Sequence, residues 1–142
     1  MSYSTFDDIV RLLPESTITE LTDDEAAGEA NEERVQEAIA QADAEIDSIC
    51  GIKYRVPFQT ASPIVKKLSV DIAIYNLYSR RVETVPQARA ERYRNAMKTL
   101  KAVSDGSASL GDVEANAESE DEALTNAVSA SKVFTRESLD GY

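Results

Sequence analysis

Histidine is absent from this sequence and cysteine occurs once, as Cys50. Those shortages remove Ser-His-Asp and Cys-His nucleophilic catalysis, together with every zinc site built from His and Cys. A lone cysteine cannot close an intrachain disulfide. Coming after Ile49 at the end of a helical pattern, Cys50 reads as a small core residue and suits a reducing cytoplasm. Long apolar runs are lacking too. The most apolar stretch, 62–81, is too short and too polar for a bilayer, which asks for about 20 predominantly apolar residues, so no membrane contact is expected. The opening MSYSTFDDIV has neither a basic n-region nor an apolar h-region, and no signal peptide is expected. Acidic residues are plentiful but not arranged for chemistry. Asp23, Asp24 and Glu25, followed by Gly28 and Glu29, lack the Asp/Asn pattern of a calcium loop and read as an exposed connection. Glu37, Asp43, Glu45 and Asp47 fall on the outer face of a helical pattern with no sign of an apolar pocket or a histidine partner, and solvated helix faces look the same. No enzymatic activity, metal or cofactor is expected.

What the chain does have is helical periodicity. In SPIVKKLSVDIAIYNLYSRR, residues 62–81, Lys66 and Lys67 mark the entrance and Arg80 and Arg81 the exit, and from Leu68 to Tyr78 only Ser69, Asp71 and Asn76 interrupt apolar side chains that run most of the way round, as in a helix packed on most sides. Ser62 suits its N-cap and Pro63 its first helical position. Ser4 to Asp7 has the capping-box spacing ahead of Phe6, Ile9, Val10 and Leu13, and Thr17 with Glu20 repeats that signal for a further turn around Ile18 and Leu21. Asn31 caps a helix with Glu32 and Glu33 in its first turn, apolar residues from Val35 to Cys50 at threes and fours, and Gly51 as its stop. Ile52, Tyr54, Val56 and Phe58 alternate with polar neighbours as in an extended segment, which Pro57 confines to an edge. After Val85-Pro86, a stripe from Ala90 to Val103 makes a last helix that stops by Gly106. Main helices are thus predicted over 5–13, 32–50, 63–81 and 87–103. The fold class is all-α, a small antiparallel bundle with an extended C-terminal arm. Its core is thin against the entropy of ordering, so burial between copies is expected to add to it.

Charge is unevenly placed. The chain carries -11 overall; residues 1–47 carry -12, residues 48–105 carry +7 and residues 106–142 carry -6. A chain so polarised can dock on itself, acidic region of one copy against basic region of the next, while its overall field disfavours nonspecific binding of DNA. The candidate charge contacts between copies are Glu32, Glu33, Glu37, Asp43 and Asp47 on the acidic side, with Lys53, Arg55, Arg80, Arg81, Arg89, Arg92 and Arg94 on the basic side. From 106 to 131 the residues are mostly Ala, Ser, Asp, Glu and Asn, the composition of a polar tether that does not fold alone. Beyond it Lys132, Val133, Phe134, Arg136, Leu139 and Tyr142 gather apolar and aromatic groups in KVFTRESLDGY, which reads as a docking arm. Three regions follow: a helical domain over 1–105, a tether over 106–131 and the arm over 132–142.

YSTFDDIVRLLPE, ITELTDD, VQEAIAQADAEIDSICGIKYRVPF, VKKLSVDIAIYNLYSRR, RYRNAMKTLKAV and VFTRESLDGY, in that order, resemble the head-completion, or head–tail connector, family of Mu-like phages and prophages. Cys50 departs from the apolar or aromatic-leucine ending more usual there, and 107–131 matches only loosely. The resemblance implies a non-enzymatic protein of the virion neck, made in the bacterial host cytoplasm. It implies a ring of about a dozen copies under the portal protein, joined by heterologous contacts. A tail-side connector or tail terminator would lie on the other side, and DNA would pass through without specific binding, repelled by acidic side chains lining the channel. A small bacterial helical adaptor or regulatory interaction domain would share the bundle and the acidity.

Overall fold

The computed structural model describes residues 2–80 and 84–111. Its elements are α1 (Phe6–Leu12), α2 (Glu15–Thr22), α3 (Glu32–Cys50), α4 (Pro63–Ser79) and α5 (Gln87–Asp105), and no strand forms among the described residues. α4 is the spine. Ser62 caps it by accepting from the Val65 N–H, Pro63 occupies its first turn, and Val65, Leu68, Val70, Ile72, Ala73, Ile74 and Leu77 are all buried. A helix with apolar groups on most sides must be wrapped, and α1, α2, α3 and α5 all pack against this one.

Side-chain pairs give the directions. Asp43 of α3 meets Ser69 of α4 while Ala38 meets Asn76, so partners retreat along one helix as they advance along the other. Glu45 meets Tyr93 of α5, and Ser48 and Ile49 share a groove with Met97 and Lys101, so α3 and α5 run together. α4 therefore runs against both, which is the antiparallel arrangement expected.

Local differences from the expected elements have physical causes. The capping box of α1 is built one residue later than the Ser4 to Asp7 spacing suggests: the Thr5 N–H donates to Asp8 Oδ2 at 2.9 Å and the Asp8 N–H donates to Thr5 Oγ1 at 3.3 Å. Ser4 is instead buried against Ser69, with 2.7 Å between their hydroxyls. α2 begins directly after Pro14, so Thr17 lies within the helix rather than ahead of it. α4 closes at Ser79 with Arg80 as its C-cap, short of the expected residue 81. The alternating segment after Gly51 forms no strand; it folds over the bundle with Tyr54 and Phe58 buried, Val56 half-buried and Ile52 61% exposed. Tyr3 and Phe58 hold their ring centroids 5.5 Å apart, closing the core under this loop.

Gly106 ends α5 in the left-handed conformation, φ 87°, which costs glycine little. The chain then turns back: the Ala108 N–H donates to the Ala102 carbonyl at 3.0 Å, and Leu110 is buried with its N–H on the Tyr54 hydroxyl at 3.1 Å. Packing thus continues past 105, into the first residues assigned to the tether.

Candidate interaction surfaces

Asn31 accepts from the Arg34 N–H at 3.1 Å and opens α3, placing Glu32 and Glu33 at the positive end of the helix dipole. Both are exposed, as is Glu37 one turn on. Asp43 does not share that surface. It is 8% exposed; Oδ1 accepts from the Ser69 hydroxyl at 2.7 Å and Oδ2 from the Tyr3 N–H at 2.9 Å. Half-buried Asp47 accepts from the Tyr3 hydroxyl, which itself accepts from the Phe58 N–H at 2.9 Å. Asp43 therefore leaves the acidic face proposed for contacts between copies, because both its oxygens hold the N-terminal segment and α4 within one chain. Its pKa is raised by burial, against the opposing pull of the Ser69 and Tyr3 hydrogen bonds. Burial also pushes the Tyr3 phenol far up, helped by the Asp47 carboxylate beside it. Tyr3, Ser4 and Ser69 were not among the expected site residues, yet a signal existed: Ile39, Asp43 and Ile46 stand at helical spacing, which puts the carboxylate on the apolar face.

Among the expected basic partners, two arginines serve the chain's own helix ends. The final carbonyls of a helix have no intrahelical donor. Arg80 donates to the Leu21 carbonyl at 2.8 Å and pairs with Asp24 at 2.9 Å; Arg89 donates to the Leu12 carbonyl at 2.7 Å. Arg34 completes the set by donating to the Thr22 carbonyl at 2.8 Å while gripping both oxygens of Glu25, whose carboxyl it holds below the usual range. Arg92 lies 3.6 Å from Asp71, a carboxylate only 2% exposed that Lys67 also reaches at 2.9 Å. Arg55 and Arg94 are exposed and Lys53 is half-buried. Arg81 and the arm residues Lys132, Val133, Phe134, Arg136, Leu139 and Tyr142 lie outside the described residues.

Two charged ends remain once these internal contacts are assigned. Glu32, Glu33 and Glu37 stand at the start of α3, while Lys53 and Arg55 follow its end, with Lys101 at the matching end of α5. At 1.5 Å per residue, the 19 residues of α3 hold the two ends about 28 Å apart. Beside the basic end lies an open apolar groove of about 420 Å³ lined by Ser48, Ile49, Ile52, Met97, Lys101 and Ser104. Elsewhere Tyr75 and Tyr93 stack with centroids 3.9 Å apart, and the Tyr93 hydroxyl donates to Glu45 at 3.2 Å. Among the described residues no three His, Cys, Asp or Glu side chains cluster to hold a metal, and no helix is long and apolar enough to cross a membrane.

Residues 3–129 match the family described as Bacteriophage Mu, Gp36. The chain is also similar to the Mu-like prophage FluMu protein gp36 of Haemophilus influenzae (strain ATCC 51907 / DSM 11121 / KW20 / Rd). The two are 33% identical over 114 residues, which cover 79% of this chain and 77% of that protein.

Proposed function

Because the chain belongs to the Bacteriophage Mu Gp36 family, we propose that it is a head-completion subunit, a non-enzymatic connector whose copies form a ring between the portal and the tail of a tailed phage. In this reading it works in the neck of the virion without a cofactor. It contacts itself, the portal protein and a tail-side connector or tail terminator, and surrounds a channel through which DNA passes unbound.

The observation that carries the reading is the separation of exposed charge between the two ends of α3. Closed rings need a heterologous contact, in which one patch of each copy meets a different patch of the next. Glu32, Glu33 and Glu37 at one end and Lys53 and Arg55 beyond the other supply two unlike patches on a rigid helix. Exposed ion pairs contribute only about 0–1 kcal/mol each, so they set register and orientation, and buried apolar area must supply the strength. The acidic excess over 1–47, left on a channel wall, would keep DNA from adhering in transit.

Mass photometry of the full chain, alone and with a portal protein, tests the proposal. Closed species of one defined mass, seen end-on as rings in negative stain, are expected. A chain that stays monomeric or dimeric whatever the portal concentration would overturn it in favour of a small helical adaptor.

A further inference from the structure

The geometry points to a receptor: the apolar groove between the end of α3 and the end of α5 takes the 132–142 segment of a neighbouring copy. This rests on the ring reading and adds where the arm is seated. Ser48, Ile49 and Ile52 line the groove from the end of α3 and just beyond it, and Met97, Lys101 and Ser104 line it from α5. Ile52 is 61% exposed, against 42% for Leu12. A contiguous apolar surface with a charged rim is the ordinary form of a peptide seat. KVFTRESLDGY offers Val133, Phe134, Leu139 and Tyr142 as apolar anchors, with Glu137 and Asp140 between them. Those carboxylates match the basic side of the groove: Lys101 lines it, and Lys101 and Lys53 add to the two Ser107 hydrogen bonds that chiefly hold the Asp105 carboxyl below the usual range, so both lysines lie near this end of α5.

The path of the chain decides between a copy's own arm and its neighbour's. Leu110 donates to Tyr54, two residues from Ile52, and Ala108 donates to Ala102, so the chain leaves the described domain beside its own groove. Between that point and the arm, residues 112–131 carry six acidic and no basic side chains. A spacer of one charge sign repels itself and extends. Twenty residues reach up to about 66–72 Å when extended, more than twice the length of α3. Seating the arm in its own groove would instead fold this self-repelling spacer back to its starting point.

Disulfide trapping in full-length protein tests the seat. Two differently tagged chains, one Ile52→Cys and the other Phe134→Cys, are mixed and oxidised; native Cys50 is buried and stays silent. A disulfide joining the two tags is expected, absent when either variant is mixed with the unsubstituted chain. In a chain carrying both substitutions, a bond confined to one copy at all concentrations overturns the proposal. A fluorescein-labelled peptide of residues 132–142, titrated into the full chain, gives a readout that needs no ring. Binding is expected to weaken at least tenfold in Ile52→Glu, whose exposed site leaves the circular dichroism unchanged. Equal binding to both proteins, or none to either, also overturns it. Mass photometry on the same samples separates the two readings. Rings without a cross-link refute the groove and leave the connector reading standing, whereas cross-links and Ile52-dependent binding without rings do the reverse.

Discussion

Asp43 shows how one side chain ties distant segments together. Its carboxylate joins α3 to the N-terminal segment through the Tyr3 N–H and to α4 through Ser69, whose hydroxyl also meets Ser4. A buried polar group left without a partner costs about 1–3 kcal/mol. Ser69→Ala is therefore expected to lower the unfolding free energy by about that amount, read from urea denaturation. Protonation of Asp43 carries a further signature. Burial raises its folded pKa above the unfolded value, so the folded chain binds the proton more tightly. The resulting stability is fully present below the unfolded aspartate value, about 3.9, and is lost as pH rises through the higher folded one. Asp43→Asn cannot titrate there. Between about pH 7 and pH 4 the wild type should gain stability relative to Asp43→Asn as the solution is acidified; parallel unfolding curves at each pH would show that Asp43 is not the group responsible. Cys50, by contrast, is inert as its sequence context suggested: it is fully buried, and burial beside Asp47 pushes its thiol up to about 11.

At the scale of the element, helix ends decide more than helix interiors. The arginines that charge counting marked for contacts between copies include two that close α1 and α2 from other helices, Arg89 at Leu12 and Arg80 at Leu21. Arg80→Glu removes a donor from the end of α2 and sets a carboxylate beside Asp24. The variant is expected to lose about 1–2 kcal/mol of monomer stability before any effect on assembly. Exposed Arg94→Glu should stay within about 0.5 kcal/mol of the wild type. Chemical denaturation of the two variants checks the contrast, and equal stabilities would show that Arg80 does not hold α2. Capping register has a similar origin. Ser4 with Asp7 and Thr5 with Asp8 share one spacing, and Ser69 decides between them by engaging Ser4.

For the whole molecule, the exposed charge at the two ends of α3 makes the proposed assembly a matter of electrostatics as well as burial. Reversing Glu32, Glu33 and Glu37 together to Lys should suppress rings while leaving the chain folded, since all three are exposed and the lost dipole contacts of Glu32 and Glu33 cost only about 0.3–1 kcal/mol each. Reversing Lys53 and Arg55 to Glu in that background should restore them if these groups meet across the contact. Assembly should also weaken with salt, as the Debye length falls from about 10 Å at 0.1 M to about 3 Å at 1 M. Mass photometry reads each outcome. Rings indifferent to all three changes would mean that the charged ends take no part in the contact.

The helices were legible in the sequence because their determinants are local. Ser62-Pro63 and Asn31 at the starts, Gly51 and Gly106 at the stops, and threes-and-fours periodicity between them need no knowledge of distant residues. The all-α class and the spine role of α4 follow from those signals and from apolar residues covering most sides of 62–81. Only tertiary structure could decide what the inward-facing polar groups meet. Helical spacing with Ile39 and Ile46 turns Asp43 toward the apolar face, but that its partners are Ser69 and Tyr3 follows from where α4 and the N-terminal segment come to rest. Arg80 and Arg94 carry the same charge, yet only Arg80 lies within reach of a helix end. The groove beside Ile52 was equally hidden, since Met97 comes from a part of the chain far from Ile49 and Ile52. Periodicity records which side of an element is apolar; what covers that side, and which charges are taken up within the chain, depends on where the other elements come to rest.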